Sequence, residues 1–317
     1  MKNNVKNNIL RMALAICIAA SGIGYAAADT GAAAMSFLKA DSGARAAAMG
    51  GAYSATEGGA SSIFYNPAGA ASLKRTEVFM SHSIWLDELS LEHIAAAFVI
   101  SPAFTFTAGA AAQIASINSY DSLSNPTGSF DATDMAATSG IAYTVSDSLF
   151  VGMQAKYFSQ QGKSVSANAL GGDAGLLYKR GRFNYGVSAM NLGNKIKLGN
   201  NEFPLPKTIR AGINMEAAEG LRVGADYIDY VDSGAHLALG CEYRLPVLTE
   251  GSRAMMVRGG YYSGRDKNTG TGISGGIGFS NDFISLDYSF TPFGDLGNGH
   301  RFSMTIRFGQ VRESAAK

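Results

Sequence analysis

The chain is expected to be an all-β protein, a transmembrane antiparallel up-and-down β-barrel of about 14 strands with a small N-terminal hatch or plug. Three observations lead there. From Lys74 onward the sequence repeats runs of eight to ten residues that alternate apolar and polar, such as Ile284-Ser285-Leu286-Asp287-Tyr288-Ser289-Phe290-Thr291 and Phe302-Ser303-Met304-Thr305-Ile306-Arg307-Phe308. Side chains in a strand point to opposite faces with period two, so each run has one apolar and one polar face. The links between runs alternate between short and long. The series also follows what reads as a secretory signal, which favours lipid outside and a polar lumen within.

The elements can be justified in order. Residues 1–28 read as a signal peptide: Lys2, Lys6 and Arg11 form the basic region, Met12 to Ala20 the apolar region, and Ala26-Ala27-Ala28 the cleavage site. Anchoring as a lipoprotein through Cys17 is disfavoured because Ile16 before it is too bulky. Residues 29–73 are rich in small residues and show little alternation. They are expected to form the hatch, with helical turns near Ala44–Met49 and 57–62. The fourteen strands are expected at 76–85, 89–100, 104–115, 134–143, 149–159, 173–180, 183–190, 207–216, 221–230, 236–244, 254–262, 273–280, 284–291 and 300–308. The barrel therefore covers 74–308, and 309–317 form a polar tail.

Links 101–102, 144–148, 181–182, 217–220, 245–253 and 281–283 are mostly tight, whereas 116–133, 160–172, 191–206, 263–272 and 292–299 are longer and polar. Links 87–88 and 231–235 are short exceptions on the long side. Short periplasmic turns alternating with longer surface loops is the outer-membrane pattern. The competing reading, a large soluble β-sandwich or lipocalin-like barrel, gives no reason for such sorting.

The faces agree. Ile209, Ala211, Ile213 and Met215, then Leu221, Val223, Ala225 and Tyr227, are expected outward. So are Leu237, Leu239, Cys241 and Tyr243, and Met255, Val257, Gly259 and Tyr261. Arg210, Arg222, Asp226, Glu242, Arg244, Arg258, Asp287, Arg301 and Arg307 fall on the lumen register. A basic side chain facing lipid at the midplane costs about 2–4 kcal/mol, which explains the sorting. Tyr227, Tyr243, Tyr261 and Phe308 are candidates for aromatic girdles.

Composition excludes other classes. Without the signal, 23 basic residues stand against 25 acidic ones, and there is no basic patch for nucleic acid. Cys241 alone follows the signal, so no internal disulfide is available. The 39 glycines show no collagen period. Gly270-Thr271-Gly272-Ile273-Ser274-Gly275 spells a dinucleotide fingerprint, and Gly272-Ile273-Ser274-Gly275-Gly276 a nucleophile elbow. Both need a helix to follow, and a strand is expected instead. Gly162-Lys163-Ser164 lacks the first glycine of a phosphate loop. His82, His93, His236 and His300 are dispersed without metal-ligand spacing. No enzyme activity, cofactor or metal is expected.

The stretch Gly43-Ala44-Arg45-Ala46-Ala47-Ala48-Met49-Gly50-Gly51-Ala52, followed by Ser61-Ser62-Ile63-Phe64-Tyr65-Asn66-Pro67-Ala68-Gly69, resembles the start of the FadL-like superfamily of outer-membrane barrels, and within it the PorV/PorQ branch. The matching signature is Arg45, Met49, Gly50, Gly51, Asn66, Pro67 and Gly69. The resemblance implies a fourteen-stranded barrel in the outer membrane of a Gram-negative-type cell, surrounded by lipid. It also implies either transport of hydrophobic compounds past the hatch or a part in a type IX-like secretion system, with a hydrophobic ligand or secretion proteins as partners. The alternative is a scaffolding barrel without transport. Long surface loops suited to a developed ligand or cargo site are not expected.

Overall fold

A computed structural model describes residues 33–85, 89–163, 165–245, 253–265 and 268–309. The expected signal peptide, and the tail beyond residue 309, lie outside the described residues.

The chain forms sixteen strands: β1 (Thr76–Trp85), β2 (Leu89–Ser101), β3 (Phe104–Tyr120), β4 (Pro126–Ser146), β5 (Leu149–Gln161), β6 (Ser166–Arg180), β7 (Phe183–Gly193), β8 (Ile196–Leu198), β9 (Asn201–Phe203), β10 (Thr208–Ala218), β11 (Leu221–Tyr230), β12 (Gly234–Arg244), β13 (Ala254–Tyr262), β14 (Ile273–Ser280), β15 (Ile284–Pro292) and β16 (Asn298–Phe308). Fourteen of them close into one antiparallel barrel; β8 and β9 pair only with each other. The closing seam joins β1 to β16, from Thr76 opposite Phe308 to Ile84 opposite His300. Closure pairs every barrel strand on both sides and leaves the barrel without an edge, which is what a sheet in lipid requires.

The outer wall exposes large apolar side chains such as Ile213, Leu237, Leu239, Val257, Ile277 and Leu286, whereas Glu77, Asp226, Glu242 and Arg258 are buried on the inside. In water such an outer surface would be an aggregation hazard; in a bilayer it is the contact face. One pair departs from the sorting. His82 and Glu92 sit side by side on the outer wall, 2.6 Å apart, in register with the aromatic level of Phe302 and Tyr288.

Three of the links expected as loops are largely strand, 191–206 among them through β8 and β9. β3 and β4 stay paired out to Tyr120 opposite Pro126, but β5 stops at Gln161 opposite Thr133. Residues 126–132 therefore belong to a two-stranded ribbon that projects past the barrel wall by roughly 20 Å. Its residues are exposed on both faces, so no buried side marks the strand period. Likewise β5 and β6 continue to Gln161 opposite Ser166. The expectation of a chain without extended surface features is corrected accordingly.

The segment before the barrel is a string of tight turns: 3-10 turns at Ser36–Lys39, Ala60–Phe64 and Pro67–Ser72, and a short α-helix at Ala44–Ala48. It lies in the lumen, with Ala44, Ala46, Ala48, Ala60, Ile63 and Ala68 buried. Wall glycines opposite one another in register make the room: Gly152 and Gly175, Gly186 and Gly212, Gly240 and Gly260. A Cβ added to Gly260 would lie 2.1 Å from the Gly50 nitrogen, and one on Gly175 would lie 2.0 Å from Asn66 Oδ1. At Gly260 backbone meets backbone, and at Gly175 the wall meets the Asn66 amide and the Pro67 ring, so only glycine fits.

Candidate functional site: the plugged lumen

The signature residues build the contact between hatch and wall. Helix Ala44–Ala48 ends as Gly50 and Gly51 turn to φ 65° and 86°, the left-handed region that glycine enters without penalty. The Gly51 N–H donates to Ala46 O at 2.9 Å. Met49 is fully buried, and its backbone rests on Gly240 and Gly260. Asn66 caps the Pro67–Ser72 turn: its Oδ1 accepts from Ala68 N at 3.1 Å, and Pro67 takes the first position, where no donor is needed. Its Nδ2 donates to Ser54 O at 2.8 Å and to Leu176 O of β6 at 2.9 Å. One amide thus holds a turn, the loop before it and the barrel wall. Gly69 packs where a Cβ would strike Ser62 and Thr56.

The charged residues form a lattice across the hatch–wall boundary. Arg45 grips Glu242 with both ends of its guanidinium, Nε to Oε2 and Nη2 to Oε1, each at 2.8 Å. Glu242 also accepts from Arg258 at 2.6 Å, and Arg258 reaches Asp287 at 2.8 Å. Arg222 approaches Glu242 at 3.8 Å from the rim, where Arg244 also lines the cavity. Burial works against the charge of Arg45, but the Glu242 carboxylate outweighs it and raises the group well above its ordinary value. On the opposite flank Asp226 accepts from the backbone N–H groups of Tyr53 and Ser54 at 3.1 and 2.9 Å. Arg210 stands 3.9 Å from Asp226, donates to Gly51 O at 3.3 Å, and lies over the Tyr65 ring. Arg307 pairs with Glu77 at 3.0 Å, whose other oxygen accepts from Ala60 N. Arg301 donates to Ser83 Oγ at 2.6 Å. The wall charges thus hold the hatch by its backbone as much as by its side chains.

A second buried cluster was not among the sequence candidates. Lys156 pairs with Asp173 at 2.7 Å and donates to Asn191 Oδ1 at 2.8 Å; Gln154 bonds Asp173 and Ile63 O of the hatch. Asn191 sits at φ 57°, where the β6–β7 ladder shifts register opposite Asp173. Lys156 and Asp173 lie on the lumen register of adjacent strands, a signal open to sequence reading.

The hatch divides the remaining lumen. At the short-link end a cavity of about 850 Å³ is lined by Arg45, Glu77, Glu242, Arg258, Asp287 and Arg307 among others. At the long-link end a second cavity of about 330 Å³ holds Asp41, Arg210, Arg265 and Arg301. Helix Ala44–Ala48 and the Met49–Gly51 turn stand between them. The other half of the long-link mouth is apolar. Ala111, Ala136, Phe158 and Ala169 make a continuous row across β3 to β6, facing inward. Met35 and Phe37 cover that row together with Ile196 of β8 and Leu205. Among the described residues, Thr56 and Ser62 of the hatch have buried hydroxyls without a partner.

No protein-family model and no curated protein matches the chain. Solved structures do share its fold. The monoaromatic hydrocarbon channel CymD superposes with a TM-score of 0.60 at 15% identity, covering 88% of this chain and 100% of that one. The toluene transporter TbuX of Ralstonia pickettii gives 0.58 at 15% identity, covering 85% and 99%, and the toluene transporter TodX of Pseudomonas putida gives 0.55 at 13%, covering 84% and 96%. A FadL homologue of Pseudomonas aeruginosa also matches, at 0.55 and 13% identity over 84% and 98%. The fold of this chain is therefore the one these channels and the FadL homologue share.

Proposed function

We propose that this chain is an outer-membrane barrel that takes up a small hydrophobic compound, with the segment 49–69 as its gate. The short links then face the periplasm and the long links the exterior. The apolar row of Ala111, Ala136, Phe158 and Ala169 at the outer mouth carries the reading, because it sets a hydrocarbon surface at the entrance beside a charged cavity that holds Asp41, Arg210, Arg265 and Arg301. Met35 and Phe37 now occupy that row, so an entering hydrocarbon competes with the protein's own N-terminal segment for the same surface. The test is expression in a Gram-negative host. The protein should fractionate with the outer membrane, migrate heat-modifiably in detergent gels and accelerate uptake of labelled toluene. Recovery in the soluble fraction, or uptake equal to that of cells lacking it, overturns the reading.

A scaffolding role, or a PorV-like part in a secretion machine, is the second reading. The projecting β3–β4 ribbon favours it, since its tip exposes Tyr120 and Leu123. Under this reading, excising 116–132 releases a stoichiometric partner and leaves toluene uptake unchanged.

A further inference from the structure

The cavity at the long-link end differs in chemistry from the apolar row beside it. Its lining brings Lys39, Arg210, Arg265 and Arg301 around a single acid, Asp41. Two of the cations are matched from behind, Lys39 by Asp232 and Arg210 by Asp226. Asp41 accepts only from the Tyr65 hydroxyl, at 3.3 Å. Arg265 lies over the Phe293 ring and donates to Pro292 O at 3.1 Å, with no carboxylate partner among the described residues. Arg301 is 8% exposed, and its terminal nitrogens have no acceptor among the described residues; Nε to Ser83 is its one bond. Among the described residues the cavity therefore carries one positive charge more than its acids balance, with the Arg301 guanidinium buried and that of Arg265 partly so. A buried guanidinium left without an anion is costly, and a carboxylate taken in bidentate fashion is its natural complement. The remaining wall is ring and hydrocarbon: Tyr230, Tyr262, Phe293, Ile228 and Leu296. A volume near 330 Å³ lies at the small end of ligand sites.

We propose that this outer cavity binds a small monocarboxylate with an aromatic or compact apolar body, its carboxylate on Arg301 and Arg265 and its body against Tyr230, Tyr262 and Phe293. The site is separate from the apolar row and recognises charge, so it stands whether or not hydrocarbons cross the barrel.

Isothermal titration of the mature chain in detergent micelles tests it, with benzoate, benzyl alcohol and inorganic phosphate as probes. Benzoate should saturate one site at least tenfold more tightly than benzyl alcohol. Arg301→Gln and Arg265→Ala should each weaken it tenfold or more. Arg265 lies outside the strands, so Arg265→Ala keeps the test informative if Arg301→Gln fails to give a heat-modifiable barrel. Equal binding of benzoate and benzyl alcohol, binding indifferent to Arg265→Ala, or phosphate binding as tightly as benzoate overturns the proposal. Toluene uptake by the same variants is read separately: loss of benzoate binding with uptake intact supports a site apart from the hydrocarbon route, whereas an unsubstituted chain that takes up toluene but does not bind benzoate overturns this site alone.

Discussion

Replacing Arg45 by Met removes the bidentate grip on Glu242 while keeping most of the side-chain volume. Glu242 retains Arg258 at 2.6 Å, so its charge is not stranded. The loss is the contribution of a charged hydrogen-bonded pair, about 1.5–3 kcal/mol. The Arg45 side chain is 27% exposed to the large cavity, which places the cost at the lower end, about 1.5–2 kcal/mol. That shifts the ratio of seated to unseated hatch roughly 10- to 30-fold. Glu242→Gln is more damaging. It leaves Arg45 without a carboxylate and Arg258 with Asp287 alone, a cost of about 3–5 kcal/mol for an uncompensated buried charge. Amide hydrogen exchange reads these openings locally. Peptides covering 44–56 should lose protection in Arg45→Met by about tenfold or more, while peptides from β3 to β6 stay unchanged. In the double variant the Arg45 substitution should have almost no further effect. Full additivity of the two substitutions, or unchanged protection of the hatch in Arg45→Met, would refute the argument that this pair seats the plug.

Further outcomes follow from the same geometry. Gly260→Ala puts a Cβ 2.1 Å from the Gly50 nitrogen, with no flexible side chain to yield. It should destabilise hatch docking by about 1–3 kcal/mol, measured as hatch-specific exchange. Asn66→Ala strips donors from Ser54 O and Leu176 O and the cap from Ala68 N; a loss of about 1–3 kcal/mol should appear as a lower thermal midpoint in detergent. Leu239→Arg faces outward and should cost about 2–4 kcal/mol in folding into bilayers, whereas Arg222→Leu at the cavity rim should leave assembly intact. Phe37→Ala uncovers Phe158 and should raise toluene uptake; unchanged uptake counts against competition between the N-terminal segment and the hydrocarbon.

The register of the later strands was legible because lipid and lumen demand opposite chemistry at alternate positions. Ile209 and Arg210, or Val257 and Arg258, cannot exchange faces. The signal fails where that contrast fails. Ribbon residues such as Asn118 and Ser129 are wet on both faces, so strand and loop look alike in sequence. The β8–β9 hairpin is hidden for another reason: Ile196 is buried by the hatch rather than by its own sheet. In the hatch, Asn66-Pro67 announced a turn, but nothing local announces that Asn66 reaches Leu176, a contact made by tertiary folding alone. His82 and Glu92 on the outer wall broke the sorting rule, and each satisfies the other by a hydrogen bond there.

Because β1 pairs with β16, the wall becomes a ring only when the last strand has been made. The N-terminal segment is synthesised first and yet ends enclosed, its backbone pressed against glycines on strands from β5 to β13. Threading it through a finished ring would break those close contacts one after another. Biogenesis is therefore ordered: the inner segment is gathered while the sheet is still open, and the final seam locks it in place. A chain whose inner segment cannot seat should stall as an unclosed sheet.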